Sequence, residues 1–176
     1  GIKFLDGKPV LGKGKTILEL GCGSGYFAMN VLKEITPKKI TGIDISHNAI
    51  QRANRLKKER KLPNTIEFIE SDISIQNIPH ADITIGLGFL DYLTADEIKA
   101  LMRSLKSKYI IFTFSEKKPS LMRYLHMLYL RSQHCPKHYY YTKKEIARFV
   151  RERYENVRII SGRKLMFGCI VHNVDG

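Results

Sequence analysis

One stretch of this chain constrains its fold more than any other. Residues 16–20, Thr-Ile-Leu-Glu-Leu, are a short β-type run that opens into Gly21-Cys22-Gly23-Ser24-Gly25, and a helix-like segment starts at Tyr26. A strand that becomes a helix through glycines lets backbone N–H groups approach a ligand closely, because no Cβ stands in the way. In parallel α/β sheets that junction is where nucleotide-type cofactors bind. The spacing narrows the choice. A dinucleotide fingerprint reads G-x-G-x-x-G, whereas Glu19 to Gly25 reads E-x-G-x-G-x-G, with Tyr26 in the place of the third dinucleotide glycine. That spacing disfavours an NAD-linked oxidoreductase.

Three further segments are apolar strands with informative ends. Lys39-Ile-Thr-Gly-Ile-Asp44 ends in a carboxylate nineteen residues after Gly25. A carboxylate about twenty positions past a glycine loop suits the two hydroxyls of a ribose. The alternative is that Asp44 caps the following helix, a task that Ser46 or Asn48 also suits. Thr65-Ile-Glu-Phe-Ile-Glu-Ser-Asp72 alternates like a strand, and Ala81-Asp-Ile-Thr-Ile-Gly-Leu-Gly88 stops in glycines before Phe89-Leu-Asp91-Tyr92.

The full pattern predicts strands near 16–20, 40–44, 65–69, 82–87, 108–114, 155–161 and 165–173, with helices near 25–35, 47–60, 94–105, 119–132 and 142–152. Thr94 with Glu97 and Thr142 with Glu145 have the spacing of capping boxes. On the helix from His47, Ile50, Ala53, Asn54 and Leu56 share one side, and Arg52, Arg55, Lys57, Lys58 and Arg60 point largely outward. Alternating β and α elements imply an α/β, doubly wound parallel sheet. The last two strands are joined by Ser161-Gly-Arg-Lys164, too short for a crossover helix, so they pair as an antiparallel hairpin. At 176 residues the chain reads as a single domain, 1–176, large enough to bury a core.

Glu19-x-Gly21-x-Gly23-x-Gly25 resembles motif I of the class I S-adenosylmethionine (SAM) methyltransferases, and the strand ends follow in that family's order from about Lys15 to Val174. The resemblance implies a Rossmann-like sheet of seven strands, order 3-2-1-4-5-7-6 with strand 7 antiparallel. It implies SAM as cofactor and S-adenosylhomocysteine (SAH) as product. The Gly21, Cys22, Gly23, Gly25 turn would take the methionine part and the ribose edge, and Glu19 would accept hydrogen bonds near the ammonium. Asp44 with Ile45 belongs to the ribose side of such a site and Asp72 with Ile73 to the adenine side, although Asp72 also reads as a plain loop residue. Gly88 and the segment after it come nearest the transferable methyl in that family. There Asp91 is a carboxylate in an apolar tract, placed either to orient substrate or to cap the turn. Phe89 and Tyr92 read as core residues or as substrate contacts.

Residues 115–142 form the expected substrate-side lid or insertion, with a Met- and aromatic-rich helix at 121–131 followed by His134-Cys135-Pro136-Lys-His138-Tyr-Tyr-Tyr141. This layout is distantly similar to small methyltransferases related to magnesium-protoporphyrin O-methyltransferase. That family tends to have a His-Tyr pair where this chain has Asp91-Tyr92, and it uses an N-terminal arm; residues 1–15 do not supply such cover helices, which are expected to be missing. The resemblance therefore carries the fold and cofactor, not the porphyrin. The candidate catalytic residues are Asp91, Tyr92 and His138. Either His134 or His138 suits a base near neutral pH, and their spacing across Pro136 makes no metal site, so no metal is expected.

The formal net charge of +13 is unevenly spread: ten Lys or Arg stand against three Glu between Ser115 and Arg153. Such a face attracts RNA, anionic lipid or an acidic small molecule, or is simply solvated. Cys22, Cys135 and Cys169 are far apart and read as free thiols of a reducing compartment. No apolar run reaches the roughly 18–20 residues of a membrane span, and no signal-peptide pattern is visible, so a cytoplasmic protein is expected. The favoured reading is methyl transfer to a small or lipid-like acceptor, at oxygen. The alternatives are an RNA methyltransferase using the basic 115–153 face, or a non-catalytic SAM-binding domain of a larger protein.

Overall fold

The computed structural model describes residues 14–33, 35–73, 78–117, 138–161 and 168–173. Seven strands, β1 Thr16–Leu20, β2 Lys39–Asp44, β3 Ile66–Glu70, β4 Ile83–Gly86, β5 Tyr109–Ser115, β6 Val157–Ser161 and β7 Gly168–Asn173, form one sheet in the order 3-2-1-4-5-7-6. β1 pairs in parallel with β2 and β4, and β2 with β3, whereas β7 runs antiparallel to both β5 and β6. The α/β class, the strand order and the reversed strand 7 are as expected. The helices among the described residues are α1 Tyr26–Val31, α2 His47–Glu59, α3 Ala95–Ser104 and α4 Lys143–Val150. The helix expected at 119–132, and most of the 115–142 lid, lie outside the described residues.

The chain divides into two compact units. The first comprises Gly1–Ile85 with Leu105–Tyr109, the second Gly86–Ser104 with Ile110–Gly176. In the first, strand register sets one row of side chains: Ile85, Glu19, Gly42 and Phe68 are neighbours across β4, β1, β2 and β3. Gly42 leaves a gap in that row, which Phe68 and Cys22 fill: a Cβ on Gly42 would stand 2.8 Å from the Phe68 ring and 2.9 Å from the Cys22 Cβ. The start of β1 is clamped by Asp82, whose carboxylate accepts both the N–H and the hydroxyl of Thr16 at 2.8 Å. The Asp82 N–H returns a bond to the Thr16 hydroxyl at 2.9 Å.

Helix α2 packs on β2 and β3 through Ile50 and Ala53, both buried. Asn54 is exposed and Leu56 half-buried, so the apolar stripe is narrower than expected. Lys57 is not outward: its ammonium donates to the Ile66 carbonyl at the head of β3 while its stem is half-buried. α1 is shorter than the predicted 25–35, ending at Val31.

In the second unit both capping boxes form. Thr94 exchanges hydrogen bonds with Glu97, and Thr142 with Glu145. α3 and α4 pack on each other, with the Lys99 ammonium 5.4 Å from the centroid of the buried Phe149 ring. Arg103 and Glu152 join the two helix ends at 2.8 Å. β6 begins at Val157 rather than 155, because Glu155 accepts the Val157 N–H in a turn.

Candidate functional site

The first unit carries the glycine turn. After Leu20 the chain reverses through Gly21, Gly23 and Gly25, with φ of 67°, 53° and 72°. The N–H groups of Gly21 and Cys22 both donate to the Ile43 carbonyl, which fastens the turn to β2. Gly25 and Gly23 are glycines for different reasons. A Cβ on Gly25 would stand 2.3 Å from the Phe68 ring, whereas on Gly23 it would meet nothing within 4 Å. Gly25 is required by packing, and Gly23 keeps open space beside its backbone.

Asp44 closes this arrangement. Its Oδ2 accepts the Gly23 N–H at 2.7 Å and its Oδ1 the Ser46 N–H at 2.9 Å. Each oxygen keeps a further lone-pair direction. The cap of α2 is Ser46, whose hydroxyl accepts the Ala49 N–H at 3.3 Å, so Asp44 is not needed for that task. Ile45, next to it, is 68% exposed. The Asp44 carbonyl accepts the Ser71 N–H at 3.0 Å, which holds the start of the loop carrying exposed Asp72 and half-buried Ile73.

Glu19 is 3% exposed on the strand before the turn. Burial pushes its carboxyl up to about 8; the charge of Asp44 adds to that, and a hydrogen bond from the Ala28 N–H opposes it. Its Oε2 is buried without a hydrogen-bond partner. Burial, with Glu19 and Asp44 nearby, pushes the Cys22 thiol far above the ordinary range, so this cysteine is an inert packing residue. Sequence reasoning missed the pair formed by His47 and Glu70, whose Nδ1 and Oε2 lie 2.6 Å apart beside Asp44 in the β2–β3 register. A histidine opening a helix after an acidic strand end was the signal.

The second unit brings the three candidate catalytic residues together. Gly88, at φ 69°, donates its N–H to the Thr113 hydroxyl at 2.6 Å and leads into a single 3-10 turn, Leu90–Tyr92. Asp91 in that turn is buried, and its carboxylate accepts the Ser115 N–H at 2.7 Å and the Ser115 hydroxyl at 2.9 Å. Burial raises its carboxyl to about 6 against the pull of those two bonds. Asp91 therefore fastens the turn to the end of β5 instead of capping it. Ser115 was not foreseen, although a serine ending a buried apolar strand marks a polar partner nearby.

The Asp91 carbonyl accepts the Tyr139 N–H at 2.7 Å, and the Tyr141 hydroxyl donates to the Leu93 carbonyl at 2.5 Å. These bonds hold residues 138–141 along the turn. His138 meets Tyr92 edge-on at 5.9 Å between ring centroids and Tyr140 at 4.7 Å. Both of its ring nitrogens are buried, while Tyr92 is 52% exposed. His134 and Cys135 lie outside the described residues. Among those described, no three His, Cys, Asp or Glu are grouped to hold a metal ion, and no helix is long and apolar enough to cross a membrane.

A seven-stranded sheet in this order, with strand 7 reversed and a glycine turn after β1, is the fold of the class I SAM-dependent methyltransferases. A family model described as a methyltransferase domain matches residues 11–149, and the chain belongs to that family. It is 32% identical over 91 residues to the release factor glutamine methyltransferase of Fusobacterium nucleatum, a match covering 52% of this chain and 25% of that protein. It is 46% identical over 59 residues to the ribosomal protein L11 methyltransferase of Photobacterium profundum, covering 34% of this chain and 19% of that one. The matched stretches thus span a quarter or less of these relatives' length. Among solved structures, the magnesium protoporphyrin IX methyltransferase of Synechocystis PCC 6803 with bound SAH is 17% identical with a TM-score of 0.68, covering 91% of this chain and 73% of that one. A SAM-dependent methyltransferase from Methanosarcina mazei is 18% identical with a TM-score of 0.64, covering 96% and 97%. At these identities the likeness shows the fold.

Proposed function

We propose that the protein transfers a methyl group from SAM to an oxygen of a small or lipid-like acceptor. The observation that carries this reading is the bond from the Gly23 N–H to Asp44, which fixes a carboxylate with spare lone pairs beside open backbone. The residues present fit the cofactor. In this reading Asp44 accepts from a ribose diol, the exposed Ile45 gives an apolar face for a base, and the Glu19 carboxyl, whose Oε2 is unpartnered, gives up its proton to accept from an ammonium. Gly21, Cys22, Gly23 and Gly25 shape the turn, and Asp72 and Ile73 complete the binding set proposed for the first unit.

Bound SAM supplies a sulfonium-activated methyl, so placing the acceptor in line matters more than a strong base. In this reading Tyr92 offers its exposed ring to an apolar or aromatic acceptor, backed by the edge of His138. Asp91 acts through the Ser115 bonds that hold the turn, and His138, with buried nitrogens, shapes the wall. The buried free thiols of Cys22 and Cys169 support a reducing, cytoplasmic setting.

Calorimetric titration with SAM, SAH and NAD, on the wild type and Asp44→Ala, tests the reading. We expect SAM and SAH to bind, NAD not to bind, and the variant to lose both. A screen of phenols and carboxylates for methylated product then separates an enzyme from a domain that binds SAM without turnover. Binding of NAD in place of SAM would overturn the assignment.

A further inference from the structure

The second unit carries a feature that methyl transfer leaves unused. α4 and β6 border an open cavity of about 600 Å³, with Lys143, Lys144, Arg148 and Arg151 on its rim. Ala147, Val157 and Ile159 make an aliphatic floor. Lys143 is partly engaged, donating to the Ser161 hydroxyl at 2.6 Å, and the acid at the rim, Glu152, is held by Arg103 at 2.8 Å. Lys144, Arg148 and Arg151 are exposed and spaced i, i+4, i+7, which puts them on one face. Their steps along the helix axis are roughly 6 Å and 4.5 Å at 1.5 Å per residue.

We propose that this groove docks the phosphate backbone of single-stranded nucleic acid, a binding function separate from the methyl-transfer site. A row of fixed cations matches a polymer of regularly repeated negative charge better than a single small anion, and the net charge of +13 favours its approach. The large apolar side chains exposed on the described residues, Tyr26, Ile45, Leu87 and Tyr92, all lie elsewhere in the chain. The groove therefore offers nothing to insert into a bilayer. Among the described residues no aromatic ring, Asn or Gln lines it, so it offers bases no ring to stack on and adenine no amide pair, and its Lys and Arg meet chiefly the phosphates. Binding is sequence-tolerant and driven by counterion release.

Fluorescence anisotropy of labelled 20-mers of oligo-uridine and oligo-thymidine, titrated with the full chain without cofactor at several KCl concentrations, tests this. Lys144→Glu/Arg148→Glu/Arg151→Glu should weaken both ligands by about 30-fold or more and lower the salt slope by about 2, at about 0.7 for each phosphate no longer neutralised. The neutral variant with Gln at the same three positions should show the same slope with a smaller loss. Arg52→Glu/Arg55→Glu/Lys58→Glu on α2 changes net charge equally and should leave the slope intact with under a 3-fold loss. Asp44→Ala should bind the oligonucleotides like the wild type, so failure here is distinguishable from failure of the SAM reading. Thermal melts confirm that each variant is folded. Equal losses from the α2 and α4 variants would show a response to net charge alone and overturn the proposal. So would displacement of oligo-uridine by polyglutamate at equal charge, or binding to phosphatidylserine vesicles without binding to either oligonucleotide.

Discussion

The two units build their proposed binding surfaces from different materials. In the first, the surface is backbone: glycines at positive φ, amides fastened to the Ile43 carbonyl, and Asp44 locked by two N–H groups. In the second it is side chains: a tyrosine ring, a histidine edge, and a buried carboxylate tied to a serine 24 residues away. Backbone surfaces need particular residues at particular spacing and bind a constant chemical group. Side-chain surfaces can be rebuilt one ring at a time, which suits a partner that varies between relatives.

The sharpest way to break this contrast is Gly25→Ala. The new Cβ meets Phe68 in a backbone conformation that L residues avoid, and strain plus overpacking should cost about 2–4 kcal/mol in a thermal or urea melt. Gly23→Ala, with open space, should cost about 1–2 kcal/mol, from backbone strain alone, yet weaken SAM markedly in the same calorimeter. If the two variants melt alike, the packing distinction between these glycines is wrong. Next comes Asp44→Ala, which on the proposed reading removes two charge-assisted bonds to a ribose and should lower SAM affinity about 100-fold or more.

In the second unit, Asp91→Ala strands the buried Ser115 N–H and should cost about 1–3 kcal/mol, read as a lower melting temperature. Asp91→Asn keeps an acceptor and should recover part of it. The carboxyls of Glu19 and Asp91 are both raised, to about 8 and about 6. Each folded form holds its proton more tightly than the unfolded chain does. Their contribution to stability is therefore full below the ordinary carboxylate range, near pH 4, and is lost as pH rises through 6 for Asp91 and 8 for Glu19. Melts of Glu19→Gln across pH 4.5–8 should show a shallower decline than the wild type; an unchanged slope would remove Glu19 as its source. The smallest effect on stability belongs to Tyr92→Ala, under about 0.5 kcal/mol at an exposed position. The same change should raise KM for an acceptor with little change in SAM affinity.

The same contrast explains what could be read from the chain. The glycine turn and Asp44 were legible because their geometry is local, joining a loop to the next strand through fixed spacing. The capping boxes at Thr94 and Thr142 were legible for the same reason. The strand order, which sets β1 beside β4, came instead from the family resemblance. Whether Asp44 or Ser46 capped α2 was open in the sequence, because both residue types suit the position; only the Ala49 hydrogen bond decided it. The Asp91–Ser115 pair and the Tyr139 N–H on Asp91 join distant residues, and no periodicity announces such contacts. The narrow apolar stripe of α2 was overestimated because a helical wheel assigns directions but not the width of the surface beneath. Lys57 shows the limit of treating charge as outward, since a long stem reaches a strand carbonyl from a half-buried position.

Phe68 has a consequence for how this chain can change over generations. Its ring fills the space left by both Gly25 and Gly42, and Cys22 wedges in beside it. A larger residue at Gly42 becomes tolerable only after Phe68 has shrunk, and a bulkier residue at position 22 only while Gly42 stays bare. Four positions scattered over a loop and two strands therefore form one evolutionary unit. Their substitutions should appear in descendants as correlated sets, in a fixed order, with the smaller neighbour always arriving first.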